Sequence, residues 1–244
     1  MLNENERLDD LGINNLKVIQ NKKWFCFGID SVLLSDFAKD MKSDSKVIDL
    51  GTGSGVIPII LTAKTKAKSF LGVEVQDCVC DMACRSVKMN NLENKIEILN
   101  SNVLDLKKGG FKNFFDVVIT NPPYKKFNTG LTNNNIEKEV ARHEVKASLE
   151  DFIEISSFVL KNLGEFYMVH RPDRLVDIMV LLRKYNIEPK KIKFVYPNKN
   201  KKANIVLIKG IKNAKPFLEF EKNLIVYNED GSYTEDIIDI YNNK

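Results

Sequence analysis

Lys46-Val-Ile-Asp-Leu-Gly-Thr-Gly-Ser-Gly55 is the stretch whose reading decides the fold. Its first half is a short apolar run and its second half alternates glycine with small polar residues. That pattern reads as a buried strand feeding a tight turn. Val56 to Lys64 then carries apolar residues at helical spacing. Strand, glycine turn and helix in this order form the opening unit of an open α/β sheet, in which ligands bind at the carboxyl ends of the strands.

Further along the chain the alternation continues. Ser69 to Val75 reads as a second strand, Asp77 to Asn91 as a helix with Asp77 at its N-cap, and Lys95 to Leu99 as a third strand. Phe115-Asp-Val-Val-Ile-Thr120 is a fourth. Lys125 to Lys146 is polar and without period, and reads as a long loop of the kind that carries function or moves. Ser148 to Leu163 reads as an amphipathic helix, with Ser148 as N-cap, Asp151 at the capping-box position and Gly164 as the stop. Glu165 to His170 is a fifth strand, and Pro172 to Tyr185 a helix opened by proline. Lys191 to Tyr196 and Ala203 to Lys209 are two closing strands, and the linker Pro197 to Lys202 is too short for a parallel crossover, so that pair is antiparallel. The result is an α/β fold with a mostly parallel sheet and one antiparallel strand.

No internal repeat is visible, and no boundary interrupts Val47 to Lys209. The expectation is one domain over 1–244, with 1–45 as an N-terminal lid or helix segment, 46–210 as the core and 211–244 as a C-terminal extension. The length of 244 residues suffices for one sizeable buried core. No apolar stretch approaches the ~20 residues that span a bilayer. The acidic, polar start from Met1 to Asp10 does not resemble a signal peptide, so a cytoplasmic location is expected. Cys26, Cys78, Cys80 and Cys84 lack the spacing of a zinc site, and only His143 and His170 could add imidazole, so free thiols and no metal are expected. No obligate protein partner is evident.

Charge is uneven. Arg183 to Lys215 holds eleven Lys or Arg against the single acid Glu188, whereas Pro216 to Lys244 holds seven acids and two lysines. A basic face for a polyanion and an ordinary solvated lysine surface both fit this composition.

The glycine turn narrows the ligand. Its spacing is Gly-x-Gly-x-Gly, with Gly51, Gly53 and Gly55, and not the longer dinucleotide fingerprint. Asp49 directly before the glycines would repel a pyrophosphate and suits the methionine ammonium of S-adenosylmethionine. Glu74 ends the second strand nineteen residues after Gly55, where an acid can accept hydrogen bonds from both ribose hydroxyls. Asn102, after the third strand, is placed to pair with the adenine amine. A tight turn with a surface acid is the plain alternative, and the order of the elements on successive strand ends disfavours it.

Asn121-Pro-Pro-Tyr124 ends the fourth strand and faces the same cleft. An exocyclic amine is a poor nucleophile because its lone pair is delocalised into the ring. The Asn121 side-chain oxygen and the Pro122 carbonyl can accept its two N–H groups and free that lone pair. The prolines stiffen the turn, and Tyr124 offers a flat face to a base drawn from its stack.

Asp49 to Gly55, Glu74 and Asn121 to Tyr124 together resemble the class I amino-methyltransferases, with their Rossmann-like seven-stranded sheet. More narrowly, the chain resembles the bacterial tRNA1(Val) adenine-N6-methyltransferase family, whose target is the adenine beside the anticodon. The likeness is carried by Phe25-Cys-Phe-Gly-Ile-Asp-Ser-Val-Leu-Leu34, Gly72-Val-Glu-Val-Gln76, Ala141-Arg-His-Glu144, His170-Arg-Pro172, Phe194-Val-Tyr-Pro197 and Lys202-Ala-Asn204. Relatives often carry an acid at the Asn102 position. The resemblance implies S-adenosylmethionine as cofactor, tRNA as partner, and a place for Asp30 near the methionine end of the cofactor. Read by itself, Asp30 is an N-cap for a helix from Ser31 to Lys39. Arg142 and His143 either order their loop, through Glu139 or Glu144, or touch RNA phosphate. His170 reads as a hydrogen-bonded structural residue. Tyr196, Lys199, Lys201 and Lys202 make a candidate RNA contact.

Four other readings compete with this one. Glutamine-N5 methylation of a protein uses the same chemistry, but such enzymes usually carry a further N-terminal helical domain. Guanine-N2 methylation of ribosomal RNA is a second alternative. DNA adenine methylation lacks a segment for sequence recognition. A catalytically inactive RNA-binding protein is the non-enzyme alternative, and the intact Asn-Pro-Pro-Tyr argues against it.

Overall fold

The computed structural model describes residues 2–23, 27–124 and 147–242. The strand read from Lys46 to Leu50 is β3, following a two-stranded antiparallel hairpin of β1 (Glu6–Asp10) and β2 (Lys17–Asn21) and the helix α1 (Ile29–Phe37). Next come α2 (Val56–Lys64), β4 (Ser69–Glu74), α3 (Asp77–Met89), β5 (Ile96–Asn100) and β6 (Phe115–Thr120). The second half holds α4 (Leu149–Val159), β7 (Leu160–His170), α5 (Leu175–Lys184), β8 (Ile187–Tyr196) and β9 (Ile205–Lys212). The two-residue strands β10 (Glu219–Phe220) and β11 (Leu224–Ile225) and the helix α6 (Glu235–Tyr241) follow.

The large sheet runs β10-β8-β9-β7-β6-β3-β4-β5, with β11 also on β8. Strand β9 is antiparallel to both β7 and β8, and the other pairings are parallel. Seven strands, β3 to β9, match the expected sheet; β10 and β11 widen its β8 edge to nine. Side-chain alternation along β3 shows how both faces are filled. Val47 packs with α1, α2 and α6, whereas Ile48 and Leu50 pack with α4 and α5. Burial on both faces explains why these strands read as continuous apolar runs.

Several boundaries differ from the sequence reading. The hairpin β1–β2 was not anticipated; it packs Leu11, Ile13 and Val18 into the α1–α2 core. Gln76 and not Asp77 occupies the N-cap of α3, and Gly28 that of α1, so Asp30 lies inside the first turn and is not a cap. The Ser148–Asp151 capping box is present as read. Helix α4, however, stops at Val159, and β7 already starts at Leu160. The pairing of β7 with β6 shifts register just there, and Leu163 takes a left-handed φ of 58°. Gly164 therefore serves the strand: a Cβ on it would come within 3.0 Å of the Asp116 and Lys161 carbonyls. The first three residues after Arg171 form a 3-10 turn, Pro172–Arg174, before α5 begins. Strand β8 runs through Pro189, which absorbs its missing N–H at a register shift between Pro189 and Lys191.

Candidate active site

The parallel strands end together along one edge. Leu50 of β3 pairs with Val73 of β4 and Thr120 of β6, and Thr120 pairs with Met168 of β7. The buried Thr120 hydroxyl donates to the Leu50 carbonyl at 2.8 Å, fixing β6 to β3 immediately before the two motifs diverge. The glycine turn, Glu74, Asn102, Asn121 and His170 consequently share this edge.

Gly51, Gly53 and Gly55 all have positive φ, of 75°, 57° and 84°. L side chains pay for that conformation, so the alternating glycines are a backbone requirement. A Cβ on Gly53 would meet nothing within 4 Å, so open space lies beside the turn. Backbone N–H groups of Gly51 and Thr52 both donate to the Val73 carbonyl at 2.9 Å, which ties the turn to β4. Gly72 permits this closeness, since its Cβ would come within 2.9 Å of the Thr52 side chain.

Asp49 is 1% exposed, and neither carboxylate oxygen has a hydrogen-bond partner. The neighbouring Thr52 hydroxyl is also buried without a well-formed bond. Burial pushes the Asp49 carboxyl up to about 7; Thr52 moderates the shift and the charge of Glu74 adds to it. A buried carboxylate without a partner is costly, and a cation brought to it would relieve that cost. The amine of a methionine moiety fits this donor set. Glu74 is occupied differently: its carboxylate accepts from the Gly53 N–H at 3.0 Å and from the Gln76 N–H at 3.0 Å. It braces the glycine turn while remaining at the strand end. Asn102 caps the 3-10 turn Val103–Lys107, its Oδ1 accepting from the Leu104 N–H at 3.0 Å. That oxygen, proposed as an acceptor for an adenine amine, already has a structural task.

Asn121 and Tyr124 are half-buried, Pro122 is buried and Pro123 exposed. The Tyr124 hydroxyl donates to Asp30 Oδ2 at 2.6 Å. Its ring lies 5.0 Å from that of His170, centroid to centroid. His170 is 1% exposed, and its Nδ1 accepts from the Arg171 N–H at 2.8 Å. Burial holds its imidazole below the ordinary range, so His170 is neutral with its proton on Nε2. The charge of the exposed Arg171 also acts on the Tyr124 phenol.

The sequence reading missed one contribution. Gln20 of β2 is buried; its Nε2 donates to the Ser54 hydroxyl at 2.8 Å and its Oε1 accepts from the Phe27 N–H at 2.9 Å. The N-terminal hairpin is thereby pinned to the glycine turn. A glutamine inside the apolar run Val18-Ile-Gln20 was the one available signal. Arg142 and His143, the segment 125–146, and Phe25-Cys26 lie outside the described residues. Lys199, Lys201 and Lys202 are exposed on the β8–β9 connection, at the same edge. Lys199 is paired with Glu229 at 2.5 Å, so its charge is locally offset. Among the described residues, no cluster of three or more metal-ligating side chains occurs, and no helix is long and apolar enough to cross a membrane.

The chain is 27% identical to the tRNA1(Val) (adenine(37)-N6)-methyltransferase of Mannheimia succiniciproducens over 86% of this chain and 84% of that one. The protein of the same name from Porphyromonas gingivalis is 24% identical over 86% and 85%. Among solved structures, a predicted O-methyltransferase from Agrobacterium tumefaciens superposes with a TM-score of 0.70 at 22% identity, covering 88% of this chain and 96% of its own. M. jannaschii TYW2 in complex with AdoMet gives 0.60 at 13% identity, over 88% and 89%. These structures share the fold. The family model described as the methyltransferase small domain matches residues 28–185, well over half of the protein, and the chain belongs to that family.

Proposed function

We propose that this protein transfers a methyl group from S-adenosylmethionine to the exocyclic N6 amine of an adenine in tRNA. The observation that carries the chemistry is the shared strand-end edge, which holds a buried, unpartnered Asp49 beside an Asn-Pro-Pro-Tyr turn. The substrate follows from the relatives named above and from the exposed lysines on the same edge.

In this reading Asp49 holds the cofactor's ammonium and Glu74 its ribose hydroxyls, while Gly51, Gly53 and Gly55 let the backbone approach. The cofactor supplies an electrophilic methyl group. Asn121 Oδ1 and the Pro122 carbonyl accept the two amine N–H groups, which draws nitrogen toward sp3 geometry and directs its lone pair at the methyl carbon. The nitrogen–carbon bond forms as the sulfur–carbon bond breaks, with that electron pair returning to sulfur. The surplus proton leaves the nitrogen afterwards, so no strong base is required, and the neutral, buried His170 is not called on as one. Tyr124 supplies a stacking face worth ~1–3 kcal/mol to a base outside its helix. Lys201 and Lys202, with Arg171 beside Tyr124, contribute phosphate contacts that position the RNA. Lys199 contributes less because Glu229 already engages it.

The test is methyl transfer from labelled cofactor onto total tRNA from cells lacking the protein, with ribosomal RNA and release factor as competing substrates. Label in N6-methyladenosine of one tRNA species is expected. Label only in protein, or only in guanine, refutes the assignment.

A further inference from the structure

Asp30 and Tyr124 are far apart in sequence and touch in the fold. Asp30 sits in the first turn of α1, which packs its apolar residues Val32, Leu33 and Leu34 into the core against α2. The residue is thus fixed by a buried helix. Tyr124 sits at the end of a turn stiffened by two prolines, with its ring against the buried His170. The phenol donates to Asp30 Oδ2 at 2.6 Å, a short bond of the charge-assisted kind. The hydroxyl contact fixes where the far end of the ring lies, and His170 packs against its flank.

We infer that Asp30 is a positioning residue for Tyr124: it anchors the phenol, and so sets the plane on which the substrate's planar group stacks. This inference rests on the reading of Asn121 to Tyr124 as the methyl-transfer site. It differs from a contact between Asp30 and the cofactor. Asp30 acts through Tyr124, so its loss is felt in the placement of the base and not in cofactor affinity. A phenol bonded to a carboxylate is also a more electron-rich face for a stacked group that gains positive charge during transfer.

The inference is tested with Asp30→Ala, Asp30→Asn, Tyr124→Phe and the Asp30→Ala/Tyr124→Phe double variant. Asp30→Asn keeps an acceptor, and Tyr124→Phe keeps the ring but loses the hydroxyl. Asp30→Ala and Tyr124→Phe are each expected to lower kcat by about tenfold to a hundredfold, as for loss of a hydrogen bond to a charged group. The double variant is expected to be no worse than either single one, because both remove the same bond. Asp30→Asn is expected to recover most of the rate. Cofactor affinity, measured by calorimetry with S-adenosylhomocysteine, is expected to stay within about twofold throughout. Additive losses, or a weakened cofactor with unchanged kcat, would overturn the inference.

A second readout needs no substrate. Burial and Asp30 together hold the Tyr124 phenol well above its ordinary range. In protein carrying 13C-labelled tyrosine, the Tyr124 Cζ resonance, identified by its absence in Tyr124→Phe, is expected to shift in Asp30→Ala and to titrate at lower pH. An unmoved resonance means that the anchor does not exist. If the resonance moves but wild-type protein methylates no tRNA, the contact stands and the substrate assignment falls.

Discussion

The cofactor end of the strand edge and the base-holding end beside it are built by different means. At β3 and β4 the site is made of local backbone: three glycines with positive φ, a turn bonded to β4, and one buried acid left without a partner. At β6 and β7 it is made of side chains from distant parts of the chain, with Asp30, Tyr124 and His170 meeting across three elements. The first end is a rigid cradle with an unmet charge. The second is a held aromatic plane. Two such ends can fail separately, and substitutions can show whether they do.

The largest expected effect is at Asn121. Asn121→Ala removes one of the two acceptors on the amine, and kcat is expected to fall by at least about a hundredfold. The cofactor's dissociation constant is expected to stay unchanged, measured on the same preparation. A variant near the wild-type rate would break the two-acceptor account, and a variant that also loses cofactor would erase the distinction between the two ends.

Next in size is the pH response of the cradle. Asp49 must be ionised to hold a cation, and burial raises its carboxyl to about 7. Cofactor affinity is therefore expected to rise with pH, by at most about tenfold per unit below pH 7, and to level off above it. Asp49→Asn is expected to bind weakly with a flat profile. The same shift has the opposite sign for the stability of the ligand-free protein. The folded form holds the Asp49 proton up to about 7, while the unfolded carboxyl releases it near 3.8. The stabilisation from this group is present below that lower value and is lost as pH rises through 7. Thermal melts of wild type against Asp49→Asn across this window check the sign.

The smallest effects belong to the basic connection. Lys201→Ala and Lys202→Ala are each expected to weaken tRNA binding a few-fold and to lower the salt slope by about 1. Lys199→Ala is expected to do less, since Glu229 already engages that ammonium. Equal effects at all three positions would show that the Glu229 pair opens when RNA arrives.

The contrast between the two ends also explains what could be read from the amino acids alone. Gly51, Gly53 and Gly55 are legible because local spacing encodes them: three positive-φ positions in five residues favour glycine at each. The β8–β9 reversal is legible because its linker is short. The Asp30 contact is not, because a helix-start acid looks like a cap, and only the fold shows that Gly28 takes that position. Gln20 is hidden for the same reason: its partner Ser54 is brought to it by tertiary packing. The end of α4 was misplaced because Gly164 is needed by a crowded strand and not by a helix terminus. Asn102 shows a structural task that the sequence reading did not foresee, since its side-chain oxygen caps a 3-10 turn.

The account stands most directly on the modified nucleoside itself. Mass spectrometry of purified tRNA species should compare cells that have the protein, cells that lack it, and deletion cells complemented with wild type or Asn121→Ala. The account predicts one N6-methyladenosine in one tRNA species, lost on deletion, restored by wild type and not restored by Asn121→Ala. An unchanged nucleoside profile on deletion, or full restoration by Asn121→Ala, would contradict it.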